Sequence, residues 1–78
     1  MDFVKATQKI TDCIETAETK AHFKAIDNMI KNVENVAKFK RPLDKSLFGA
    51  TALLSAQNQN KFAKIFGRNE LSTIFDKN

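Results

Sequence analysis

Apolar side chains at Phe3, Ala6, Ile10, Cys13, Ile14 and Ala17 recur at steps of three and four, the spacing that places them on one face of a helix. Asp2 precedes the first of them and is a natural N-cap. A second stripe follows through Phe23, Ile26, Met29, Ile30, Val33, Val36 and Ala37, with Thr19 positioned to cap its first turn. Proline disfavours helical geometry at the residue before it, so this helix is expected to stop before Pro42, leaving Lys40 and Arg41 at a frayed end or in the connection. Ala17 to Thr19 allows only a short link between the two stripes. A short link between long helices implies an antiparallel hairpin over about residues 2–40.

Beyond Pro42 the pattern restarts with Asp44 or Ser46 as the cap, and Leu47, Phe48, Ala50, Ala52 and Leu54 fall on neighbouring helical faces. The run Gln57-Asn58-Gln59-Asn60 then interrupts it. Asparagine side chains compete for backbone hydrogen bonds and favour caps and turns, so a break or kink is expected here. Phe62, Ala63, Ile65 and Phe66 give a short apolar helix ended by Gly67, a suitable residue just past a helix terminus. Asn69 is then placed to cap a final turn through Leu71, Ile74 and Phe75. No segment alternates with the period of a strand, and no internal repeat is visible. The expectation is an all-α, single-domain helical bundle spanning residues 1–78, an N-terminal helical hairpin followed by two or three shorter helices over about 44–76.

Length sharpens this picture. A chain of 78 residues leaves no room for a second core, and its small interior makes a deep, walled active site hard to build. Catalysis needs a nucleophile beside a base, a tuned acid and base, or a metal cage. Cys13 lies on the apolar stripe between Ile10 and Ala17, where a thiol behaves as a small hydrophobe. His22 is the only histidine, too few for a zinc site. Asp12, Glu15 and Glu18 share one face of the first helix but have no facing base, which is the pattern of a solvated surface. Gly49 and Gly67 stand alone, so there is no phosphate loop. The reading is a non-enzyme with no cofactor, no metal and no small-molecule substrate.

One cysteine cannot close a disulfide within the chain, the first residues lack the basic-then-apolar pattern of a signal peptide, and the uncharged stretch from Ser46 to Asn60 is too short and polar to span a bilayer. A soluble, cytoplasmic protein is expected.

Charge adds the most. Thirteen Lys and Arg against nine Asp and Glu give +4, unevenly distributed: residues 1–19 carry a net −2, residues 20–45 a net +4 and residues 46–78 a net +2. On the second helix, Lys24, Asp27, Lys31, Glu34 and Lys38 alternate in sign, which reads as a solvent face laced with ion pairs. Two clusters remain. Lys38, Lys40, Arg41 and Lys45 surround the end of the second helix, where cations also complement the helix dipole. Lys61, Lys64 and Arg68 share a face opposite the Phe62, Ile65 and Phe66 stripe, in a stretch with no acid between Asp44 and Glu70. The amides of residues 57–60 adjoin them, and amides hydrogen-bond phosphates and base edges.

These features point to a nucleic-acid-associated accessory protein that contacts phosphates, with little sequence preference, through Lys38, Lys40, Arg41, Lys61, Lys64 and Arg68. The alternative is a helical protein-interaction module, an adaptor or inhibitor of a larger protein, marked by exposed members of the seven phenylalanines. Phe39, Phe48 and Phe75 are the three not clearly assigned to a core stripe. Weaker expectations are an anionic membrane surface as partner and a homodimer completed through the second helix. The segment from Phe62 to Phe75 loosely matches a helix-turn-helix unit, although its second helix would be short and would carry Glu70 and Asp76.

Overall fold

The computed structural model describes residues 2–40 and 44–75. Helix α1 spans Phe3–Thr16, α2 Lys20–Lys40 and α3 Lys45–Phe66; a single 3₁₀ turn over Arg68–Glu70 then leads into α4, Leu71–Ile74. Among the described residues there is no strand, and the architecture is an all-α bundle.

The starts of the three long helices follow from local chemistry. Asp2 accepts hydrogen bonds from the Val4 and Lys5 amides, Thr19 Oγ1 from the His22 amide at 3.1 Å, and Asp44 Oδ1 from the Leu47 amide at 3.1 Å. Each side-chain oxygen satisfies a first-turn N–H that has no partner within its helix. Asp44, rather than Ser46, is therefore the cap of α3. Gly67 ends that helix at φ 98° and ψ 153°, a region open essentially to glycine alone, while its amide donates to Ala63 O at 2.8 Å.

Two expectations about the carboxy-terminal half are corrected. Residues 57–60 neither break nor kink the chain into separate helices, because α3 runs unbroken through them for 22 residues. Its buried face is Leu47, Thr51, Leu54, Asn58 and Phe62, so polar Thr51 and Asn58 occupy positions of the inner stripe. Asn58 is 0% exposed and donates from Nδ2 to Phe23 O at 3.1 Å. Continuing the helix places Leu54 and Phe62 in the same core, and their burial at about 2–3 kcal/mol each outweighs the few tenths by which each asparagine disfavours a helix. The second correction concerns Asn69. It lies inside the 3₁₀ turn, and no side chain caps α4.

The core gathers Ile10, Ile14 and Ala17 from the first segment, Phe23, Ile26, Ile30 and Val33 from α2, Leu54 and Phe62 from α3, and Leu71 and Phe75 from the end of the described chain. An aromatic cluster holds one end of it. Phe62 meets Phe23 edge-to-face at 5.4 Å between centroids and Phe75 at 5.3 Å, and Phe66 packs against both Phe23 and Phe62. Edge-to-face contacts add about 0.5–1.5 kcal/mol each beyond the burial itself. Phe75 is thus a core residue, Phe48 is half-buried, and Phe39 alone of the seven rings stands free, 92% exposed.

Asp27 also departs from its expected place on a solvent face. It is buried, with its carboxylate 3.2 Å from Lys31, and it lines a small pocket together with Ser72 and Thr73. The acidic residues of α1, Asp12 and Glu15, are exposed, as is Glu18.

Candidate nucleic-acid interface

The last two turns of α3 carry Gln57, Asn60, Lys61 and Lys64 at steps of three, one and three. That spacing lines them up on one helical face, opposite the buried Phe62. Arg68 continues the row in the 3₁₀ turn. Together with Ala63 these residues line one broad open concavity of about 780 Å³. The three cations Lys61, Lys64 and Arg68 are therefore brought together as their spacing predicts, with two amides beside them.

Their surroundings differ. Lys61 Nζ donates to Ile14 O at 2.7 Å and also to Glu15 O, reaching across to the carboxy-terminal end of α1. That helix has no basic residue in its own last turn, and its final carbonyls concentrate partial negative charge. Lys61 supplies the missing cation from α3. An ammonium has three N–H donors, so one remains for the concavity.

Lys64 and Arg68 are exposed, and neither comes within ion-pair distance of a carboxylate among the described residues. Glu70 is the nearest acid in sequence. Its carboxylate is held 3.0 Å from Lys20 Nζ, and that ammonium also lies 5.4 Å from the centre of the Phe66 ring. The charge of Glu70 is thereby matched within the fold.

The other predicted cluster lies elsewhere. Lys20 at the start of α2 touches Glu70, whereas Lys38 and Lys40 stand at the end of the same helix. At 1.5 Å per residue the 18 steps from Lys20 to Lys38 span about 27 Å. The five expected residues that the structure describes accordingly form two surfaces at opposite ends of α2. Lys38 pairs with Glu34 at 3.6 Å with both side chains well exposed, Lys40 is exposed, and Arg41 lies outside the described residues. Lys45, exposed at the start of α3, follows that connection.

The carboxy-terminal segment is not a helix-turn-helix unit. Helix α4 has four residues, and Leu71 and Phe75 at its ends face the core. A reading helix must present several turns to a groove. Cys13 is half-buried against the core, His22 is half-buried, and among the described residues no group of His, Cys, Asp and Glu could hold a metal ion. No helix among them is long and apolar enough to cross a membrane. Sequence reading missed the internal engagement of Lys61, since nothing in the order of residues shows which carbonyls a lysine 46 positions away will meet. No family model matches the chain, and no curated protein and no solved structure gives a significant match to it.

Proposed function

We propose that the protein is a non-enzymatic accessory module that binds nucleic-acid phosphates with little sequence preference, and that the concavity of α3 is a principal contact surface. The observation that carries this reading is the convergence of Lys61, Lys64 and Arg68 with Gln57 and Asn60 on one open surface where Lys64 and Arg68 lack an acidic partner among the described residues. Such cations neutralise phosphates and release condensed counterions. The amides add hydrogen bonds without committing to one base.

Docking on a larger protein is supported less well. Among the described residues, the large apolar side chains left in solvent are Val4, Phe39, Leu53 and Ile65, distributed over three helices. Leu53 and Ile65 are about 18 Å apart along α3. A protein-binding patch is contiguous.

The test is fluorescence anisotropy of a labelled single-stranded oligonucleotide with the wild-type chain and with the double variant Lys64→Met, Arg68→Met. Binding at about 50 mM salt that weakens roughly tenfold by about 200 mM, and is further weakened in the double variant, supports the reading. No binding at low salt, or binding indifferent to salt, overturns it. With no Trp or Tyr, the chain absorbs very weakly at 280 nm, so a 260 nm signal in purified protein would report nucleic acid carried through purification.

A further inference from the structure

We propose that Phe39 is a base-stacking residue, flanked by phosphate contacts from Lys38 and Lys40, so that the polyanion bound by this chain is single-stranded nucleic acid rather than duplex. The proposal rests on the phosphate-binding reading above and names its ligand class. Phe39 is 92% exposed, whereas Phe23, Phe62 and Phe75 are buried and Phe3, Phe48 and Phe66 are partly covered. It stands in the last turn of α2 between two exposed lysines, and Lys45 follows across the connection.

That setting selects among partners. Protein interfaces are depleted in lysine at their cores, and here an exposed lysine both precedes and follows Phe39 in the chain. Membrane surfaces reward a broad apolar face, but the apolar face of α2 is turned into the bundle through Phe23, Ile26, Ile30, Val33 and Ala37. A nucleobase needs one accessible ring face and cations nearby for the strand's phosphates, and residues 38–40 present an exposed ring with exposed lysines at the two neighbouring positions. The Glu34 partner of Lys38 is no obstacle. At 3.6 Å between two exposed side chains the pair is weak and readily exchanged for a phosphate. Paired bases in a duplex keep their faces stacked on one another, so Phe39 gains nothing there.

Two variants test this on the full chain. Phe39→Ala, at a position that contributes nothing to the core, is expected to weaken binding of an oligothymidylate strand by about 5- to 150-fold, the range seen for loss of one base-aromatic stack, and to leave binding of a duplex of the same length unchanged. Phe39→Trp is expected to retain binding and, as the only tryptophan, to have its emission quenched by the single strand. Unchanged single-strand affinity in Phe39→Ala, while Lys64→Met with Arg68→Met still weakens binding, overturns the stacking role and leaves the phosphate reading standing. Equal quenching by duplex overturns the single-strand preference. Emission that responds to phosphatidylserine vesicles and not to the oligonucleotide overturns the proposal in favour of a membrane surface. If wild-type protein binds no nucleic acid at low salt, both readings fall together.

Discussion

The carboxamide of Asn58 lies between Leu54 and Phe62 on the inner stripe of α3, fully buried, with Nδ2 bonded to Phe23 O and Oδ1 without a partner among the described residues. A buried acceptor left unpaired costs about 1–3 kcal/mol, and the single hydrogen bond made by Nδ2 returns about 1 kcal/mol. Leucine has nearly the same shape and neither polar group. Asn58→Leu is therefore expected to leave the urea midpoint unchanged or to raise stability by up to about 1 kcal/mol. Asn58→Asp is expected to lower it by about 3 kcal/mol or more, since a carboxylate beside a carbonyl oxygen has no donor to face. What the amide contributes is register, because only one alignment of α3 on α2 brings Nδ2 to Phe23 O. Lys61 acts by a different route. Lys61→Met keeps the aliphatic stem and removes the charge from the Ile14 and Glu15 carbonyls, and a loss of about 1–3 kcal/mol in denaturant unfolding is the expected reading. A weaker site would accompany that loss, so Lys64 and Arg68 are the cleaner positions at which to test binding.

At the scale of elements, the ends of the helices respond more predictably than their middles. Asp44→Ala removes the acceptor for the Leu47 amide and is expected to cost about 1 kcal/mol. Gly67→Ala meets no neighbouring atom within 4 Å, yet φ 98° with ψ 153° is backbone geometry that alanine avoids. A drop of about 1–3 kcal/mol, followed by thermal unfolding in circular dichroism, would therefore measure backbone strain with no packing term. This division explains what was legible in the sequence. Caps act within four residues, so Asp2, Thr19 and Gly67 could be placed from their neighbours alone and the start of α3 narrowed to Asp44 or Ser46, whereas Asn69 was misplaced because the 3₁₀ turn takes it up. The hairpin was legible too, because α1 and α2 bury stripes that are nearly all apolar. α3 was not, because Thr51 and Asn58 occupy its inner face and a periodicity of apolar residues cannot register a polar side chain whose hydrogen bond is made to an element 35 residues away. Asp27 failed for the same reason, its burial being set by the end of the described chain folding over α2. The grouping of Lys61, Lys64 and Arg68 was readable as a helical face, whereas the separation of Lys38 and Lys40 from them depended on the antiparallel course of α2 and α3.

Across the whole molecule, that separation makes the binding expected of the chain depend on ligand length. The cations of α3 and the 3₁₀ turn sit near the start of α2, where Lys61 reaches the last carbonyls of α1 and Glu70 meets Lys20, while Phe39, Lys38 and Lys40 lie about 27 Å away along the helix. At the axial rise of about 3.4 Å per nucleotide of a fully stacked strand, roughly eight nucleotides bridge that distance, and an unstacked strand bridges it with fewer. A shorter strand can occupy one end only, with the two or three charge contacts that end supplies. A strand long enough to reach both converts the second contact into an intramolecular event at high effective concentration, and its affinity exceeds that of either end alone. Anisotropy titrations over a series of oligothymidylates should therefore show affinity rising gradually for strands too short to reach both ends and steeply beyond a threshold no longer than about eight nucleotides, with the salt slope growing in step. Removing either end by Lys64→Met with Arg68→Met, or by Phe39→Ala with Lys40→Met, should abolish the steep rise while preserving the weak binding of short strands at the other end. A smooth dependence on length, unaffected by which end is altered, would mean that the two surfaces do not engage one strand.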